Sequence, residues 1–235
     1  QNEIRAVIHQ EAVQSREDAG FNRQLTDSNY DIVKLEAAVE KVFAKIDELS
    51  DIEQLLAVAC LEHVTAIVAK EIIANPKHLG DADQEQRHLW LWHASEEIEH
   101  KGVAYDTWLY ATRDWTRWQR WKAKSAFMAK ISVGFAINRT KGIFELLRQD
   151  GIAGPKAWFG TIHYMLVGPA PLRRTLGPWA RFFLPGFHPW NEDDRDLIQL
   201  AESEYEAAIM EQKDEQPTVS ELADKLKKIK LPKVA

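Results

Sequence analysis

Apolar residues recur every three or four positions along most of the first 150 residues, the period of helices lying against a core. Residues 2–25 carry Ile4, Val7, Ile8, Ala12 and Ser15 on or near one side. Residues 31–49 repeat the pattern with Ile32, Leu35, Val39, Val42, Phe43, Ile46 and Leu49. Ser50-Asp-Ile-Glu53 is a capping box that starts a further helix, and Asn75-Pro76 stops it. The next helix starts at Asp81 or Asp83 and continues through 110, with Gly102 its one glycine. Asp150-Gly151 ends a helix through a C′ glycine, and Gly154-Pro155 opens a short one. Residues 168–190 read as an aromatic-rich connection punctuated by Pro and Gly, after which Asn191 caps an acidic helix over about 192–213. Thr218-Val-Ser-Glu221 is a second capping box, leading a short basic amphipathic tail helix. Strand signals are weak everywhere before residue 155. The pattern predicts an all-α fold: a bundle core over 1–112, basic and aromatic helices with the connection over 113–190, a closing helix over 191–213 and a tail over 214–235.

Composition narrows the class. The chain has 235 residues, 45% hydrophobic and 28% charged, with 11 Gly and 9 Pro, which excludes a disordered or low-complexity protein. The single Cys60 rules out an internal disulfide and any cysteine-rich metal site. A net charge of −6 argues against a nucleic-acid partner. The chain opens QNEIRAVIHQ, polar, without Met and already inside a helical pattern, which reads as a trimmed N-terminus without a secretory signal. Its most apolar window, 126–137, contains Lys130 and is too short to span a bilayer. The expected location is the cytoplasm.

The chemistry lies in acids and histidines set inside apolar helices. Glu62 and His63 interrupt LLAVACLEHVTAIVA, where Ala59, Glu62, Ala66 and Ala69 share one face. A carboxylate buried there without a partner costs several kcal/mol, so another group must compensate it. In LWLWHASEEIEHKGVAYD, Glu97 and His100 form a Glu-x-x-His pair, and His93 and Glu96 continue the stripe one turn earlier. In HQEAVQSRED, Glu11, Gln14 and Asp18 fall on one stripe. A lone Glu-x-x-His also arises by chance, and Glu96, Glu97 and Glu99 also fit a solvated face. Glu62 fits neither reading, because both its flanks are apolar. Bundles that bind two metals use a glutamate from each of two helices and Glu-x-x-His from each of two more. Here Glu11-x-x-Gln14, Glu62 and Glu97-x-x-His100 lie on three successive candidate core helices.

Those segments, together with PGFHPWNEDD, resemble the bacterial family of predicted metal-dependent hydrolases, a ferritin-like group, over about residues 1 to 210. The resemblance implies a ferritin-like helical bundle with additional C-terminal helices, and metal ligation by Glu11, Glu62, Glu97 and His100. The family usually carries His at the position of Gln14, commonly another where this chain has Asp18, and normally an upstream helix with its own glutamate. Gln14, Asp18, His63 and His93 are candidates for orienting the ligands or substituting for them.

Three functions compete. The main expectation is a non-haem enzyme with two divalent ions, iron first and manganese or zinc next, that activates oxygen on a small organic substrate. The alternative is a hydrolase in which the metal acidifies water and Glu96 acts as the catalytic base. The third is a non-catalytic helical binding or membrane-surface protein with a degenerate site. A separate feature is the basic stretch 113–141, where eight basic residues face Asp114 alone for a net charge of +7. Trp115, Trp118 and Trp121 recur there every three residues, a slowly winding stripe if the segment is helical. The stripe is expected to be an interface, to a second subunit in a homodimer or to a membrane surface through 113–124, or else to roof the bundle.

Overall fold

The helix from Asp51 to Ala74, α3, is apolar on nearly every side, and a helix of that kind has to be covered all round. The structure, a computed structural model, describes residues 2–204 and covers α3 on most sides, with Val58 and Val68 left exposed. Along the chain run α1 (Asn2–Asp27), α2 (Val33–Asp47), α3, α4 (Gln84–His100), α5 (Val103–Ala111), α6 (Arg117–Gln149), α7 (Gly154–Leu166) and α8 (Pro171–Arg181), and 195–204 is helical again. Among the described residues there is no strand, so the fold is all-α. Helices α2, α4, α5, α6 and α8 all pack on α3, while α1 lies over α4 and α5. The small residues Ala57, Ala59, Cys60, Ala66 and Ala69 of α3 are buried, which lets its neighbours approach closely.

Two apolar clusters divide α3 along its length. Leu56 and Cys60 pack with Tyr105, Trp108, Met128 and Phe182 toward its start. Ala69 and Ile73 pack with Leu91, Ala94, Ile98 and Ile198 toward its end. Glu62 and His63 sit between the two.

Local signals placed most of the boundaries. The Glu53 carboxylate accepts from Ser50 N–H at 3.1 Å and from its hydroxyl at 2.6 Å, Asn75 and Pro76 end α3, and Gly151 after α6 has φ +74. Three boundaries differ from the sequence reading. The helix expected to run through 110 breaks at Lys101-Gly102, where the Trp190 ring occupies the space in which a Cβ on Gly102 would stand. The stretch 168–190 contains α8, which starts with Pro171, where a missing N–H costs the helix little, and which runs on through Pro178 at the expense of one backbone bond to Arg174 O. The closing helix begins at 195, and Asp194, not Asn191, accepts its first backbone bonds. The remainder of the expected helix, 205–213, the box at Thr218 and the tail lie outside the described residues.

Trp115 precedes α6, whose N-cap is Thr116, and packs half-buried against the first cluster. Trp121 Nε1 donates to Phe183 O at 2.8 Å, and the exposed Trp118 stacks on its ring at 4.6 Å. Among the described residues, no helix is long and apolar enough to cross a membrane.

The PGFHPW segment is an anchor. Lys101 donates to Asp194 at 2.7 Å and lies 4.1 Å over the Trp190 ring, while Lys70 bridges Asp194 and Glu192. His188 Nε2 pairs with Asp106 at 2.8 Å. On α6, the buried Lys124 donates to Phe182 O and to Leu184 O, and burial pushes its ammonium down to about 8.

Gly102→Ala is expected to destabilise by roughly 1–3 kcal/mol through overpacking against Trp190. Gly134→Ala, mid-helix in α6 with open space around it, should stabilise by roughly 0.5–1 kcal/mol. Urea unfolding of the two variants measures both, and equal effects would contradict this packing. Lys124 supplies a pH test. Between about pH 8 and about 10.4 the unfolded chain binds the extra proton, so this group makes the fold more stable as pH rises through that window. The stability difference between wild type and Lys124→Met should therefore grow in favour of wild type across it; a flat difference would contradict the burial.

Candidate metal centre

The centre assembles where α1 crosses α3 and α4. On α3, Glu62 Oε2 is buried and has no hydrogen-bond partner among the described residues. Burial pushes its carboxyl up to about 8, and the neighbouring Glu97 and Glu11 carboxylates add to the shift. On α4, His100 is 1% exposed and points its Nδ1 at Glu11 Oε1, 2.9 Å away, and its Nε2 at Gln10 Oε1, 3.2 Å away. Burial works against the imidazolium, but the Glu11 hydrogen bond and the Glu62 and Glu97 charges outweigh it and raise its pKa. His100 thus faces the acidic side chains of Glu11, Glu62 and Glu97. One ligand atom each from Glu11, Glu62 and His100 lies within 4.8 Å of the other two.

These donors fit a metal ion. Bonds of ~2.2 Å place opposed ligand atoms at most ~4.4 Å apart, so a small side-chain rotation closes the group on an ion. Gln10 accepts from His100 Nε2–H and so holds the ring with Nδ1 turned to the carboxylates, the usual way of orienting a ligating histidine. The orphaned Glu62 oxygen is what such an ion would satisfy.

The remaining expected residues divide. Glu97 is buried beside the group, hydrogen-bonded with Thr65 and 3.5 Å from His93 Nε2; burial is the main cause of its raised pKa. Glu96 Oε2 accepts from Gln14 Nε2 at 3.0 Å, and its carboxyl is raised chiefly by burial. Gln14 is 2% exposed, and its amide is directed at Glu96. Asp18 is exposed on α1 and interacts with the charges of His93 and Glu11. His63 faces the other way: it packs 5.0 Å from the Phe182 and Phe187 rings, and burial pulls its imidazole down to about 4. It lines a small void of about 150 Å³ with Lys101 and Asp194, apart from the carboxylates. Trp115, Trp118 and Trp121 contribute nothing to the group. Two contributors were missed in the sequence, Gln10 and Thr65. Gln10 is one turn before Gln14 and Thr65 one turn after Glu62, so helical spacing pointed to both.

Comparison with curated proteins gives no match, and comparison with solved structures gives none either. The family described as predicted metal-dependent hydrolase matches residues 1–193, from α1 through the PGFHPW anchor. That stretch contains every residue of the centre, and the chain belongs to this family of predicted metal-dependent hydrolases.

Proposed function

We propose that this protein is a hydrolase working with one divalent metal ion held by Glu11, Glu62 and His100. The observation that carries the reading is the approach of these three donors to within 4.8 Å around a buried, unpartnered Glu62 oxygen. Two carboxylates and one imidazole suit zinc, manganese or iron, and three protein donors leave positions open for substrate. Glu97, steadied by Thr65 and His93, borders the group as a fourth donor. When bound, the ion supplies Lewis acidity, bringing the pKa of an adjacent water toward about 7 and polarising the scissile group.

The chain supplies proton handling and orientation. Glu96 is the base: Gln14 and Gln10 orient its carboxylate through hydrogen bonds, and burial, the largest influence on it, raises its pKa. Gln10 fixes the His100 ring, and α1 closes the centre from outside through Glu11. Donors on three different helices, α1, α3 and α4, also fit a ferritin-like bundle. The oxygen-activating expectation has less support: the family description names hydrolysis, and Gln14, where a second histidine of a two-metal pattern would stand, is bonded to Glu96.

Glu62→Ala should abolish stoichiometric uptake of zinc or manganese in calorimetry while far-ultraviolet dichroism stays that of the wild type. Glu96→Gln should keep the ion and lower turnover of 4-nitrophenyl esters or phosphates by roughly 10²–10⁴-fold. An ion retained by Glu62→Ala, or a Glu96→Gln variant as active as wild type, would overturn the assignment.

A further inference from the structure

A second site lies away from the carboxylates. A cavity of about 650 Å³ opens between α3, α6, α7 and α8, within the ~300–1,000 Å³ of small-molecule sites. Val64, Ile67, Ile72, Phe135, Met165 and Trp179 line it. Val68, Ile143, Leu172 and Leu176 also line it while remaining exposed, so the way in from solvent is apolar too. Such walls give water few partners and give a hydrocarbon chain close contact along its length.

The polar groups on the wall differ in what they have left to offer. Glu71 is buried and already answered by Asn75 Nδ2 at 3.3 Å, His78 Nε2 at 3.0 Å and Arg174 Nε at 3.4 Å. His78 Nδ1 lies 2.6 Å from the Tyr164 hydroxyl. Arg139 is different: its guanidinium lies over the Phe135 ring at 5.6 Å and, among the described residues, forms no ion pair with a carboxylate. A guanidinium fork matches a carboxylate with two parallel N–H donors. The cavity therefore combines an apolar volume, an apolar entrance and a cation, Arg139, that has no carboxylate partner among the described residues.

We propose that this cavity binds a long-chain carboxylate of the fatty-acid class, its hydrocarbon chain between α3, α6 and α8 and its head at Arg139. The assignment stands independently of the metal centre, although Trp90 lines the cavity and also meets His93 edge-on at 5.8 Å.

Calorimetric titration of the full chain with palmitate, and in parallel with the uncharged hexadecanol, tests the proposal. Saturable binding of one palmitate per chain is expected. Arg139→Gln should weaken palmitate about tenfold, or ~1.4 kcal/mol, and leave hexadecanol unchanged. Ala136→Trp, which fills the cavity from an exposed position on α6, should abolish both, with an unchanged urea midpoint showing that the fold is intact. Palmitate binding that does not saturate, or that Ala136→Trp leaves intact, overturns the proposal. So does association with phosphatidylglycerol vesicles without palmitate uptake, which would assign the apolar mouth to a lipid surface instead.

Discussion

A carboxylate placed in the middle of the apolar stretch of α3 governs this structure. Glu62 stands on α3 between two hydrophobic clusters that fix the helix from both ends, so it has little freedom to reach water by moving. The group compensates in two ways: its carboxyl is pushed up to about 8, and the His100 ring, whose own pKa is raised, comes to the same place from α4. Both responses leave Glu62 Oε2 without a partner. Helix α1 is polar and buries only Gln14, and Gln10, Glu11 and Gln14 bond it to α4 at the centre itself. Docking of α1 and assembly of the centre are therefore coupled.

The opposite side of α3 does structural work. Adjacent helical residues point about 100° apart, so His63 cannot share the face of Glu62, and it packs instead among the aromatic rings beneath the PGFHPW segment. There Lys101, Lys70, Glu192 and Asp194 form a network in which burial opposes the Asp194 charge and the two lysines hold its pKa down nonetheless. Trp190 rests against Gly102, immediately after the end of α4 at His100. The anchor thus helps to fix the position of a residue of the centre from the far side of the helix pair.

What could be read from the sequence follows the range of the forces involved. The Ser50 box, the stop at Asn75-Pro76 and the glycine after α6 are local devices, and each acts where it was read. Glu11, Glu62 and His100 were legible as a group because acids on apolar faces need partners and helical spacing shows which faces they share. The need for glycine at 102 was not, since the ring that fills the space beside it belongs to a tryptophan far along the chain. Helix α8 was hidden by prolines that usually end helices but here occupy its first and last turns. The placement of Trp115 was available: Thr116 and Gln119 form a capping box that puts the tryptophan outside α6.

The central claim is that Glu11, Glu62 and His100 hold one ion. X-ray absorption together with anomalous diffraction at the metal edge, on protein loaded with zinc or manganese, tests it most directly. The account predicts one ion among these three side chains, with one imidazole and carboxylate oxygens at about 2.0–2.2 Å in its first shell. A pair of ions ~3.5–4 Å apart, or an ion bound elsewhere with Glu62 left unliganded, would contradict it.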